Sequence, residues 1–180
     1  MIKYLLAATI LFAQWSLNAQ TAPSNDTLHW KSSKPLSWED FKGEAIEGIG
    51  LQGEAFCMNL ASFNKPNAFQ KTRFEVAAIF DRQKSWVLED MKDDGVLEYF
   101  QIMFNIYEVH ARKLRKDLSE TKFGLDPNTI FQEKYNHSMS ELMNQFNAYR
   151  KETKMGLDLA AVKSWKVKIG EELKSLEAHK

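Results

Sequence analysis

The stretch from Leu97 to Leu118, LEYFQIMFNIYEVHARKLRKDL, constrains the fold more than any other. Leu97, Phe100, Phe104, Tyr107, Ala111, Leu114 and Leu118 recur at alternating three- and four-residue steps, the spacing that aligns one face of an α-helix. A second row, Tyr99, Met103, Ile106 and His110, runs beside the first, so the helix is apolar around most of its waist. Such a helix must be covered on more than one side, which makes it central. Arg112, Lys113, Arg115 and Lys116 follow near its C-terminal end, where cations suit the helix dipole, and the run reads as a solvated face.

The chain begins with the pattern of an export signal. Lys3 supplies a short positive region, Tyr4 to Leu17 an apolar core, and the residues around Ala19 a cleavage site. The apolar run falls short of the ~20 residues that span a bilayer as a helix. The expected product is exported, periplasmic or secreted, with no membrane insertion after cleavage. Residues 1–19 read as the signal peptide, 20–28 as a flexible leader and 29–180 as a single domain. Removing the signal takes one Lys and no acid from the 24 basic and 24 acidic residues, leaving 23 against 24 and a formal charge of −1. That balance argues against nucleic acid as a partner. Cys57 is the one cysteine, so no internal disulfide forms, and its apolar neighbours mark it as a buried small residue.

Before the central helix the chain reads as sheet. Ser37 suits the start of a short helical turn over Trp38 to Phe41, and Trp30, Trp38 and Phe41 read as aromatic plugs at the core's edge. Ile46 to Leu60 is strand-like and punctuated by glycine, Asn64 to Asn67 is a turn, and Arg73 to Asp81 is the strongest strand. Ser85 to Val87 is a further short strand or the entry to the helix. After it, Asp126 followed by Pro127 opens a helix running to about Lys154, and Gly156 breaks the chain before another helix from Leu157 to about Leu176. Leu159, Val162, Trp165, Ile169, Leu173 and Leu176 form the apolar side of that last helix. The fold class is α+β: an N-terminal antiparallel or mixed sheet, a central long helix and two further C-terminal helices.

Four segments in register carry a family likeness: Ser37–Gly43 (SWEDFKG), Phe74–Val87 (FEVAAIFDRQKSWV), the central helix, and Tyr149 to Leu173. Together they resemble the bacterial domain of unknown function 922, exported proteins of zincin-like metalloprotease type, and the likeness covers essentially the whole mature chain. The family's central helix looks like LLxHEQxHFDIxExYARKLRK, and here its end is nearly kept as Val109-His110-Ala111-Arg112-Lys113-Leu114-Arg115-Lys116. The second family signature resembles YDxETxHG, matched here by Tyr149 to Gly156 with Trp165 nine residues beyond the glycine.

The chemistry that this resemblance implies is missing from the residues themselves. An HExxH motif works because histidines four apart share a zinc ion while the glutamate activates its bound water. The two histidine positions match Tyr99 and Met103, the general-base position matches Phe100, and the third ligand position matches Met155. A phenol, a phenyl ring and two thioethers do not suit zinc, which prefers imidazole, thiolate and carboxylate. The expectation is that Tyr99, Phe100, Met103 and Met155 lie together as hydrophobic core where the metal would sit, and that no cofactor is held. Glu152 and Thr153 read as structural, bonding backbone near the bend at Gly156. The rival is a residual or rebuilt polar site drawn from Glu98, Glu108, His110 and Glu152, although Glu108 and His110, two residues apart, lie on different helical faces. The resemblance thus implies a catalytically inactive metalloprotease homologue that binds a peptide or protein partner. The alternatives are a hydrolase with a rebuilt or unrecognised site, and a purely structural exported protein.

Overall fold

A computed structural model describes residues 22–46, 53–64 and 73–180. The N-terminal signal pattern, residues 47–52 of the strand-like region, and most of the turn at Asn64 to Asn67 lie outside them. Five strands come first in the chain: β1 (Thr27–His29), β2 (Gly53–Glu54), β3 (Cys57–Asn64), β4 (Arg73–Asp81) and β5 (Trp86–Val87). Three helices follow: α1 (Asp94–Glu120), α2 (Pro127–Glu152) and α3 (Leu159–Ser175). The architecture is mixed α+β, a small antiparallel sheet and then three helices, as the order of the patterns suggests.

β4 is the centre of a three-stranded sheet ordered β1-β4-β3, antiparallel throughout, while β2 pairs with β5. Its alternating Val76, Ala78 and Phe80 enter the same core as α1, as period-two strand geometry requires. Cys57 is buried opposite Phe80 in the neighbouring strand, and that burial pushes its thiol far above the ordinary range. An unreactive core position is the result.

α1 lies between the sheet and the other two helices, and packs on β4, β3, α2 and α3. Both of its apolar rows are used: Phe104, Ile106, Val109, Ala111, Leu114 and Leu118 are each at most 2% exposed. Each helix starts on an aspartate. Asp93, Asp126 and Asp158 accept the backbone N–H groups of Val96, Thr129 and Ala161 at 2.9, 3.3 and 3.1 Å, satisfying donors that a first helical turn leaves free. Ahead of the sheet, Asp40 accepts the Ser37 N–H and hydroxyl at 2.9 and 3.1 Å and fixes the short turn at Trp38–Asp40.

Three expectations need correction. The ordered fold starts before residue 29, because β1 already pairs with β4 from Thr27 and Ser24 donates its N–H and hydroxyl to the buried Asp81, each at 2.6 Å. Burial would raise the Asp81 pKa, but the bonds from Ser24, Lys84 and Gln83 outweigh it and hold the carboxyl below its usual range. The Arg112–Lys116 run is not a solvated face either: Arg112 is 2% exposed and Arg115 half-buried. Their guanidinium groups converge on the buried Glu108, at 2.8 and 3.1 Å. On α3, Val162, Trp165 and Ile169 are buried but Leu159, the first residue of the helix, is 54% exposed.

Candidate functional site

The three positions on α1 that the resemblance aligns with a zinc motif are packed solid. Tyr99, Phe100 and Met103 are 5%, 4% and 6% exposed. The Tyr99 ring stacks on Tyr149 at 5.1 Å, and the Tyr149 hydroxyl donates back to the Tyr99 carbonyl at 3.0 Å, so one pair ties α1 to α2 by both ring and backbone. Tyr149 in turn meets Trp165 of α3 edge-on at 5.3 Å. The Phe100 ring packs between Tyr99 at 5.5 Å and Phe41 at 5.2 Å, and a Cβ added to Gly53 would come within 3.2 Å of it. Burial raises the pKa of Tyr99, with Arg150 pulling in the opposite direction, and burial also raises that of Tyr149. Both phenols therefore stay neutral at ordinary pH.

Met155 departs from the expected cluster. It is 45% exposed and its sulfur accepts the Arg150 Nε–H at 3.3 Å, so it is a surface side chain and not core filling. The cause is the backbone of the α2–α3 loop. Lys154 and Met155 have φ of 50° and 60° and Gly156 has φ of 94°, a left-handed run that aims Met155 outward and lays the glycine against Tyr99. Left-handed geometry costs about 1–2 kcal/mol at each non-glycine residue. The loop is held by Met155 N–H to Arg150 O at 2.8 Å, Asp158 N–H to Thr153 O at 2.9 Å and the Thr153 hydroxyl to Tyr149 O at 2.7 Å. Thr153 thus bonds backbone as expected. Glu152 does something else: its carboxylate accepts the Trp165 indole N–H at 2.8 Å.

These four positions do not fit a zinc ion, because phenol, phenyl and thioether are poor donors for it and one of the four faces solvent. The rival polar residues each have separate partners. Glu108 holds Arg112 and Arg115; His110, 2% exposed, places Nε2 2.7 Å from Gln145 Oε1; Glu152 holds Trp165; and Glu98 pairs with Lys166. Among the described residues no three His, Cys, Asp or Glu side chains gather as metal ligands.

A different feature lies at the sheet margin, buried at Cys57 and Asn59 and partly exposed from Leu60 onward. Asp81 donates to the Phe56 carbonyl at 2.9 Å, which sets the phase of the β3–β4 ladder: even-numbered residues turn their backbone groups toward β4. The N–H and C=O groups of Cys57, Asn59, Ala61 and Phe63 therefore point away from the sheet, and β3 is an edge strand among the described residues. α2 runs antiparallel past this edge, with Phe131 stacked on Phe63 at 5.4 Å and the Tyr135 hydroxyl 3.5 Å from the Asn59 carbonyl. The same side of α2 continues as Met139, Met143, Phe146 and Arg150, none fully buried. Sequence reasoning did not single out this row as a surface, because half-buried apolar residues at helical spacing read as core.

No protein-family model, no curated protein and no solved structure matches the chain. No helix among the described residues is long and apolar enough to cross a membrane.

Two measurements check the geometry. Gly156→Ala would place a Cβ 3.0 Å from Tyr99 Cγ at a φ of 94°, and the ring cannot yield because Tyr149 is stacked on it. The variant is expected to lose roughly 1–3 kcal/mol in denaturant unfolding. For His110, burial lowers the pKa, the Gln145 bond opposes, and Lys113, Glu141 and Glu172 are the charges around it on the three helices. Its Nδ1 is buried without a hydrogen-bond partner among the described residues. The folded state thus prefers the neutral ring, and its contribution is complete above the unfolded pKa of roughly 6.5 and falls as pH drops below it. Unfolding midpoints at pH 7.5 and pH 5.5 should show a loss at the lower pH that His110→Gln reduces; an equal loss in both proteins would assign it elsewhere.

Proposed function

We propose that this chain is an exported, catalytically inactive relative of the zincin-like metalloproteases it resembles, and that it works by holding an extended peptide or protein segment along β3. The observation that carries the reading is the packing of Tyr99, Phe100 and Met103: the positions where the resemblance puts two zinc ligands and a general base are hydrocarbon and phenol wedged between α1, α2 and the sheet. Neither proton transfer nor metal ligation is available from those side chains at neutral pH. Export rests on the N-terminal pattern of residues 1–19.

Binding by strand addition is the mode the geometry supports best. An added strand would pair with the outward backbone groups of Ala61 and Phe63, the part of β3 beyond the buried Cys57 and Asn59, and these supply affinity independent of its sequence. Selectivity would come from alternate side chains lying against Met139, Met143 and Phe146, where methionine adapts to varied shapes. Arg150, over the Phe146 ring at 5.5 Å, adds a cation at the end of that row and favours an acidic residue in the ligand.

Ala61→Pro tests this directly. Proline removes an N–H that points away from β4, so no ladder bond is lost and an edge strand tolerates it. Peptides selected from a displayed library on the unmodified protein should shift the amide resonances of Ala61 and Phe63 and bind Ala61→Pro about tenfold more weakly, with little change in melting temperature. Equal affinity for both proteins would place binding elsewhere.

A further inference from the structure

A cavity of about 420 Å³ opens on the side of α1 where the N-terminal loop and the end of α3 meet, lined among others by Trp30, Lys31, Asn105, Arg112, Lys174 and Glu177. We propose that it binds a small oxyanion-bearing ligand, a carboxylate or a phosphate. This is a site separate from the β3 edge and independent of the reading given for it.

Arg112 is buried at the wall of this cavity, its side chain 2% exposed. Its Nε donates to Glu108 at 2.8 Å, and its Nη1 donates to the Leu173 carbonyl at 2.7 Å and to Glu177 at 3.3 Å. Nη2 has no protein partner among the described residues. The guanidinium lies over the Trp30 ring at 5.1 Å, so its plane is fixed before any ligand arrives. A pre-oriented guanidinium nitrogen left without an acceptor is the usual means of recognising carboxylate and phosphate oxygens.

Charge points the same way. Glu108 is a single buried carboxylate shared by Arg112 and Arg115, so the interior cluster carries more positive than negative charge. Glu177 compensates only in part, because it is solvent-exposed and also paired with Lys180. The lining itself has Lys31, Lys174 and Arg112 against Glu177, a surplus of two positive charges. Lys31 and Lys174 have no ion-pair partner among the described residues.

The carboxamides complete the donor set. Asn105 Oδ1 accepts both the Trp30 indole N–H and the Gln101 Nε2–H at 2.8 Å, which commits its oxygen to the protein and leaves its Nδ2 as a donor. Gln101 is in turn fixed by accepting the Leu36 N–H at 2.7 Å. The wall therefore offers N–H groups from Arg112 and Asn105 and the ammonium groups of the exposed Lys31 and Lys174 beside an indole face, a surface suited to a small anion with an apolar body.

The test is titration calorimetry at constant ionic strength with inorganic phosphate and, separately, with benzoate, on the full chain and on the Lys31→Ala/Lys174→Ala double variant. Both lysines are exposed and outside the core, so the variant should fold normally. Saturable binding of either probe, with a shift of the Trp30 indole resonance and roughly fivefold or greater weakening in the double variant, is the expected result. Which probe binds identifies the ligand chemistry. No saturable binding of either probe would overturn the proposal. So would binding that leaves the Trp30 indole unmoved, or that the double variant retains at full strength.

Discussion

The stacked pair Tyr99 and Tyr149 is the contact on which this structure turns. It joins α1 to α2 through rings 5.1 Å apart and through a hydroxyl-to-carbonyl bond of 3.0 Å, and it reaches α3 through Trp165. The left-handed α2–α3 loop closes over it, with Gly156 against the Tyr99 ring. A glycine is required there for two separate reasons, its positive φ and the lack of room for a Cβ. A histidine in place of Tyr99 would not fill this volume, so the side chain that ties the three helices together is also one that is a poor zinc ligand.

That arrangement divides the molecule into a closed region and two open ones. Tyr99, Phe100 and Met103 belong to the closed region, where burial keeps the Tyr99 and Tyr149 phenols protonated and the thioether of Met103 packs as an apolar group, while Met155 lies outside it. The open regions are the outer edge of β3 beside the α2 row, and the cationic cavity under Trp30. They lie on different faces of α1: Met103 and Tyr107 belong to the side of α1 that meets α2, whereas Gln101, Asn105 and Arg112 face the N-terminal loop and the end of α3. Binding at one need not disturb the other.

Much of the scaffold is legible in the chain. The three-and-four spacing of Leu97 to Leu118 marks α1, the Asp126–Pro127 pair marks the start of α2, and the β-branched and aromatic run marks β4, whose bounds are Arg73–Asp81. Other features depend on contacts distant in sequence. Ser24 and Thr27 read as polar leader because nothing local reveals that both meet Asp81, the last residue of β4. Arg112 reads as solvated by its type, yet Glu108 four residues earlier and the Leu173 carbonyl across the fold take it inside. The i, i+4 spacing of Glu108 and Arg112 was the available signal. Met155 reads as core by its type, and the left-handed backbone that turns it outward has no mark in the residues Lys154 and Met155 themselves.

The claim under all of this is that packed side chains occupy the place where the resemblance expects a zinc ion. A zinc site filled at a hundred times its Kd would add about 2.7 kcal/mol to stability, a rise of roughly 5–10 °C in melting temperature for a chain of this size. The decisive measurement is thermal unfolding of the purified chain with excess zinc and with a chelator, with metal content determined on the same sample. The account predicts superimposable transitions and no stoichiometric zinc; one equivalent of tightly held zinc and a chelator-sensitive rise in melting temperature would contradict it.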